Sequence, residues 1–196
     1  HGQEALTVFP GNVVLGYFTG IAYFIKGDTD NARSFLEGAL NNSAQENDFV
    51  KSMIYGSLGD LYHKLDMINV SDAAYEEAIR LDSTNVSAMN NLAYYLSLRK
   101  EKLDQAAEYA RLANELDPGS GTFQDTYAWV LFQQGNYKEA LVWIEKAVKG
   151  ASPSAVVLEH YGDILAKSGK LREAVRQWEK ALNLSAGDKS VNVERL

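Results

Sequence analysis

Histidines are the scarcest groups in this sequence that could act as a general base or hold a metal. There are three, His1, His63 and His160, and there is no cysteine. Covalent or acid–base catalysis needs a nucleophile, a base and an orienting group within hydrogen-bond reach of one another. The sequence also has no Gly-rich phosphate loop, no Gly-x-Ser-x-Gly elbow and no His-Glu-x-x-His pair. These patterns do not predict an enzyme.

One segment, LEHYGD, could place several ligating groups on one face of a helix. Glu159 and Asp163 are four residues apart and His160 and Asp163 are three apart, so the side chains are neighbours on a helix. One helix supplies too few ligands for a metal site, and the sequence offers no second cluster. We therefore interpret the segment as a polar patch that lines a groove, and we predict no metal and no cofactor.

The composition indicates a folded protein that does not bind nucleic acid. The chain has 196 residues, of which 46% are hydrophobic, enough to bury a core. Its 19 lysines and arginines against 26 acids give a net charge of −7, with no basic block that could follow phosphates. The apolar run at 13–25 would rise about 20 Å as a helix, short of the roughly 30 Å of a bilayer core. It predicts no membrane span.

An internal repeat identifies the elements that must position the polar groups. Four segments share one pattern of small, bulky and charged residues; they are 22–40, 61–79, 130–148 and 164–182. The small residues Ala106, Ala140 and Ala174 are 34 residues apart. A fixed period of this length is the sequence signature of stacked helical hairpins.

The unit resembles the tetratricopeptide repeat (TPR), a helix-turn-helix of about 34 residues with small residues where its two helices cross. Slot eight of the unit holds Gly20, Gly59, Ala93, Ala128 and Gly162. Packed helices lie about 8 to 10 Å apart, and the shorter distance requires Gly, Ala or Ser at the crossing. The resemblance covers residues 13–188 and implies an all-α solenoid of stacked antiparallel helix hairpins, the TPR superhelix. Its five repeats are 13–46, 52–85, 86–120, 121–154 and 155–188.

Residues that do not fit the five repeats carry further expectations. Ala5 lies 34 residues before Ala39, so we interpret 1–12 as the end of a truncated upstream repeat, a short helix that packs on the first repeat and stops at Pro10. We assign 189–196 to a C-terminal tail. Five extra residues near ENDFV and one in RKEKLD are interpreted as longer exposed turns, with a local change of stacking angle as the alternative.

The resemblance also implies which side chains line a concave groove, because six slots of each first helix face it in this family. The candidate ligand-binding residues there are Asn90, Asn91, Tyr94, Asp125, Trp129, Phe132, Glu159, His160 and Asp163. A side-chain amide both donates to a carbonyl and accepts from an N–H, so Asn90 and Asn91 suit an extended peptide. Family members that grip the acidic tails of chaperones use Lys, Arg and Asn, and the predicted groove lacks those basic residues.

Acids outnumber lysines in the predicted groove. The acids are Asp60, Asp125, Glu159 and Asp163, and the lysines are Lys64 and Lys167. We predict that the groove prefers a segment with Lys or Arg, whose charge is attracted and whose stem can stack on Trp129. The alternative is a groove that is merely solvated.

The first repeat differs because its groove slots carry no charge. They form an apolar face of Val14, Tyr17, Phe18, Ile21, Phe24 and Ile25. An exposed patch of this kind is typical of a binding or assembly face. Cover by upstream repeats is the second interpretation, and the sequence does not decide between the two.

The resemblance implies a non-enzymatic scaffold that binds a peptide or a partner protein in the concave groove. The alternative is a structural module that self-assembles through the apolar face of the first repeat. The helical repeats of about 35 residues that bind RNA are disfavoured by the charge and by the spacing. The amino-acid sequences of the repeats also resemble TPR segments of bacterial proteins, including cell-envelope lipoproteins. This resemblance implies a bacterial origin and an envelope location.

The assignment of Ala140 to a helix crossing gives a stability prediction. Replacing Ala140 by Leu should overpack the crossing and lower the free energy of unfolding by roughly 1 to 3 kcal/mol. Lys138→Ala, on the predicted exposed turn, should change it by no more than about 0.5 kcal/mol. Urea denaturation of both variants measures the two effects, and equal midpoints would show that the slot assignment is wrong.

Overall fold

The described part of this protein is built from helices. The computed structural model describes residues 11–150 and 153–185. The upstream helix predicted up to Pro10 and the tail predicted at 189–196 lie outside these residues. Within the described ranges there are ten α-helices, one 3₁₀ helix at Ser43–Gln45 and no strand. The predicted all-α class is confirmed.

The helices alternate as the first and second members of successive hairpins. The first helices are α1 (Val13–Ile25), α3 (Asp48–Lys64), α5 (Val86–Arg99), α7 (Gly121–Gln133) and α9 (Ala155–Lys167). The second helices are α2 (Thr29–Asn42), α4 (Ile68–Leu81), α6 (Leu103–Leu116), α8 (Tyr137–Gly150) and α10 (Leu171–Ser185). The chain divides into two units, His1–Leu92 and Ala93–Leu196, with the boundary inside α5. Each unit is described by itself below.

Several helices begin at a side chain that accepts a hydrogen bond from the backbone N–H three residues later. Asn12 accepts from Leu15 at 2.9 Å before α1, and Ser154 accepts from Val157 at 3.3 Å before α9. Such caps satisfy backbone donors that have no partner inside the helix. The starts of these helices are therefore fixed by local sequence.

The insertion near ENDFV is helical, which corrects the predicted exposed turn. Asn47 caps α3 by accepting from Val50, and Asp48 follows in the first turn, where a negative charge is favourable. α3 has 17 residues, whereas the other four first helices have 13 or 14. The extra residues therefore lengthen a first helix by about one turn.

The turn between the two helices of a hairpin needs a left-handed residue at slot fifteen. Glycine supplies it at Gly27, Gly135 and Gly169, whose φ values are 79°, 80° and 79°. Asp66 and Lys100 adopt the same left-handed region, with φ values of 58° and 57°. This conformation is strained for residues that have a side chain. The extra residue in RKEKLD is accommodated by Lys102, which is also left-handed at 43°. This insertion does lie in a turn, as predicted.

The two helices of a hairpin approach most closely at slot eight, where small residues face bulky residues of slot twenty-four. A Cβ added to Gly59 would lie 2.6 Å from the ring of Tyr75, and one added to Gly162 would lie 2.2 Å from Nε1 of Trp178. Gly20 has the same relation to Leu36, at 2.7 Å. Glycine at slot eight therefore creates the space that a large side chain of the second helix fills.

The opposite environments of Gly59 and Gly38 predict opposite effects of one substitution. Gly59→Ala should clash with the fully buried Tyr75 and lower the free energy of unfolding by about 1 to 3 kcal/mol. Gly38→Ala, inside α2 with no atom within 4 Å of the new Cβ, should raise it by up to about 1 kcal/mol through helix propensity. Thermal unfolding distinguishes the two, and equal signs would contradict the packing described.

Candidate functional site

The predicted groove residues separate into buried and partly exposed groups. Asn90, Asp125, Trp129 and His160 are buried, with 6%, 6%, 1% and 4% of their surface exposed. These four residues were predicted to line the groove, but little of their surface is open to solvent. The partly exposed members are Asn91, Tyr94, Phe132, Glu159 and Asp163.

A buried acid–histidine pair joins α7 to α9 in the second unit. Nδ1 of His160 lies 3.0 and 3.2 Å from the two carboxylate oxygens of Asp125. When Asp125 is ionised it only accepts, so Nδ1–H donates and the second ring nitrogen, Nε2, is left for another partner. Asp125 is thus engaged inside the protein and is not the free charge that was expected to attract a cationic ligand.

The ring of His160 is also part of a stack of three rings. The Trp129 ring lies 4.0 Å from the His160 ring at 15° and 4.8 Å from the Phe132 ring at 14°. The indole is therefore stacked on two rings of this protein, and only 1% of the Trp129 surface is exposed. The predicted stacking of a ligand lysine or arginine on Trp129 does not fit this arrangement, because the indole is closed to solvent.

The acids at slot nine bond to the second helix of their own repeat. Nε1 of Trp178 donates to Asp163 Oδ1 at 3.1 Å, and Oη of Tyr75 donates to Asp60 Oδ1. In both repeats the donor is the bulky slot-twenty-four side chain that fills the space over a glycine. The acids that predict a cation-attracting groove therefore also lock their hairpins.

Asp60 carries a second hydrogen bond, which links α3 to α5 in the first unit. Nδ2 of Asn91 donates to Asp60 Oδ1 at 2.8 Å, and Nδ2 of Asn90 donates to Asn91 Oδ1 at 3.2 Å. Burial raises the pKa of Asp60 above its usual range, although the bonds from Tyr75 and Asn91 and the charge of His63 oppose the shift. The site holds a carboxylate that is poorly solvated.

A cavity of about 310 Å³ lies beside Asp60 in the first unit. Its walls come from α1, α3, α4, α5 and the residues before α5; they include Tyr17, Met53, Gly56, Ser57, Asn85 and Asn91. Sequence reasoning did not include Ser57 and Asn85 among site residues and placed Tyr17 only on the apolar face. The cap pattern ahead of α5 was the available signal for Asn85, which accepts from the Ala88 N–H at 3.0 Å.

The apolar face of the first repeat is partly covered within the first unit. Tyr17, Ile21 and Phe24 pack against the buried core. Val14, Phe18 and Ile25 remain 49%, 60% and 79% exposed. The face predicted from α1 is therefore split into a packed half and an exposed half.

Two classes of site were also sought across the described residues. No group of three or more His, Cys, Asp or Glu side chains there could hold a metal ion. The helices in the same ranges include none with the length and hydropathy to cross a membrane.

Comparison with known proteins identifies the repeats. Models of the tetratricopeptide repeat match residues 54–85, 74–108 and 127–151. The chain contains tetratricopeptide repeats. The comparison with curated proteins gives no match. Because TPR proteins are generally non-enzymatic scaffolds, the family favours a role in protein–protein interaction.

Solved structures of other TPR proteins share the fold. A thermophilic TPR protein of Thermus thermophilus has a TM-score of 0.70 at 18% identity, over 90% of this chain and 93% of that one. YrrB, a TPR protein described as having an unusual peptide-binding site, has a TM-score of 0.70 at 17% identity, over 96% and 94%. PilF of Pseudomonas aeruginosa has a TM-score of 0.71 at 19% identity, over 86% and 76%. These likenesses confirm the TPR solenoid fold.

The raised pKa of Asp60 predicts how one substitution changes the pH dependence of stability. Between the unfolded pKa, about 3.9, and the higher folded pKa, the folded protein holds more protons at this site than the unfolded chain. The native protein should therefore lose stability as the pH rises through this window, and Asp60→Asn should not show that loss. The stability of the variant relative to the native protein should increase from acid to neutral pH.

Urea denaturation of both proteins at several pH values between about 3.5 and 7 measures this difference. Titrating groups that do not interact with Asp60 contribute equally to both proteins and cancel in the comparison. A difference that stayed constant across the range, or decreased, would contradict the raised pKa.

Proposed function

We propose that this TPR protein is an interaction scaffold that binds an extended peptide segment of a partner protein on the face carried by its first helices. The observation that carries the proposal is the cavity beside Asp60, which opens between first helices and is lined by amide and hydroxyl groups. Asn85, Asn91 and Ser57 offer both donors and acceptors, as a peptide backbone requires. A volume of about 310 Å³ is at the lower end of ligand pockets, which suits one side chain or a short peptide piece.

The second unit carries its own proposed contact residues. Tyr94, Phe132, Glu159 and Asp163 are the proposed ligand contacts there. The buried His160 and its partners position them: the Tyr94 ring lies 6.2 Å from that of His160, and Phe132 stacks on Trp129. In this proposal Asn90, Asp125, Trp129 and His160 support the contact surface from below.

Charge and family both favour a protein partner. A net charge of −7 disfavours polyanions, and the TPR fold is a frame for protein and peptide partners. The alternative of self-assembly through the first repeat is not favoured by the comparisons, and half of its apolar face is packed within the unit. Light scattering at micromolar concentration tests that alternative directly, since it requires a dimer or larger species.

Fluorescence polarisation with a labelled peptide library tests the proposal. Peptides that bind the native protein should bind about two- to twelvefold more weakly to Asn91→Ala and to Glu159→Gln, because each variant removes a polar contact worth about 0.5 to 1.5 kcal/mol. Lys138→Ala, at an exposed position in the first turn of α8 rather than on the predicted turn, is the control and should bind like the native protein. Circular dichroism melts verify that each variant is folded.

Salt gives a second readout of the same experiment. Binding that involves Glu159 should weaken between low and high ionic strength, because screening shortens the reach of surface charge. A library without any binder, or binders that are indifferent to both groove variants, would contradict the proposed face.

A further inference from the structure

Asp60 presents an incomplete set of hydrogen bonds to the cavity of the first unit. Both bonds that it accepts, from Tyr75 and Asn91, end on Oδ1. Within the described part of the chain, Oδ2 accepts none. Asp60 is partly exposed and lines the cavity, so its second oxygen can accept a hydrogen bond from a donor outside the protein.

The charge of this carboxylate is also uncompensated by the cavity wall. No lysine or arginine is among the described residues that line it. The charge of His63, which lies outside the wall, also acts on this partly buried carboxylate, and a ligand cation in the cavity would further favour its ionised form. The cavity is therefore complementary to a cationic group.

The bonding pattern discriminates between the two cationic side chains of proteins. Arginine binds a carboxylate best through two parallel N–H bonds, one to each oxygen. Oδ1 of Asp60 is already occupied by two donors, so only one oxygen is open. A lysine ammonium is a compact point charge that needs one carboxylate oxygen and can give its other protons to neutral acceptors.

The remaining walls fit the rest of a lysine side chain. Ser57 Oγ and Tyr17 Oη are 3.4 Å apart and supply neutral acceptors beside the carboxylate. The Tyr17 ring and Met53 offer apolar surface for the four-carbon stem. We propose that this cavity is a specificity pocket that takes a lysine side chain of the bound segment, with the ammonium donating to Asp60 Oδ2. The proposal rests on the peptide-binding function above and names the residue that this part of the face selects.

Four mixtures of labelled peptides test the pocket. The mixtures have identical degenerate flanks and differ only at one fixed central residue, which is Lys, Arg, Gln or Glu. The lysine mixture should bind about tenfold more tightly than the Arg and Gln mixtures, since a hydrogen bond to a charged group has about that effect. The glutamate mixture should bind most weakly.

Two variants connect this preference to the cavity. Asp60→Asn should abolish the preference for lysine: the amide oxygen can still accept from Tyr75 and Asn91, and the amide NH₂ then replaces Oδ2. Gly56→Leu should fill the cavity, because a Cβ there meets only Asn85 Nδ2, at 3.7 Å. Both should leave the melting temperature unchanged or raised, since leucine is a better helix former than glycine and the introduced asparagine carries no buried charge.

Gly38→Leu is the matched control for Gly56→Leu. It places the same side chain in a helix of the same unit, at a glycine with nothing within 4 Å of its new Cβ and outside the cavity wall. It should keep the full preference for lysine. The control separates filling of the cavity from a general effect of glycine replacement.

The outcomes distinguish the pocket from the proposed function. If all four mixtures bind equally, or arginine binds as well as lysine, the lysine pocket is wrong while peptide binding stands. Preference for lysine that survives Asp60→Asn or Gly56→Leu also overturns the pocket. If no mixture binds, the proposed function and the pocket are both contradicted.

Discussion

The close approach of the two helices at slot eight of a hairpin is the constraint on which the rest of this structure depends. Glycine at Gly59 and Gly162 leaves room for Tyr75 and Trp178, and these large side chains reach across to the first helix. Because each is a hydrogen-bond donor as well as a filler, it meets the acid one residue after the glycine. One steric fact therefore fixes packing and places a carboxylate at the groove side of the hairpin.

Contacts between consecutive repeats reuse one slot with different chemistry. In the first unit, Asn91 at slot six bonds to Asp60 of the preceding repeat. In the second unit, His160 at slot six stacks on Trp129 and bonds to Asp125 of the preceding repeat. The slot decides which neighbours meet, and the residue type decides whether the meeting is polar or aromatic. The proposed lysine pocket lies where the first chemistry is used.

The sequence predicts the all-α class and the hairpins because a 34-residue period and small residues at crossings are local patterns. The sequence does not predict which of the groove side chains are buried. Slots five, six and nine point to one face, yet Asp125 and Trp129 are buried because His160, about one repeat later, lies against them. A pairing of this range depends on which side chain occupies the neighbouring repeat, and no single-repeat pattern contains it. The prediction of an exposed turn near ENDFV was wrong for a local reason, because the helix cap at Asn47 was not recognised in the sequence.

Asn85 has a consequence for how the chain can be cut or recombined. Its Oδ1 caps α5, and its Nδ2 donates to Ser52 Oγ at 2.8 Å, while that hydroxyl donates to the carbonyl of Ala78 at 2.7 Å. The start of one repeat is thus linked by the hydrogen bonds of two side chains to both helices of the repeat before it. Repeats joined in this way cannot be exchanged without losing hydrogen bonds to the neighbouring repeat. In a chimera or shortened chain with a junction between Leu81 and Val86, these hydrogen bonds are kept only if Asn85, Ser52 and the chain around Ala78 all come from this protein.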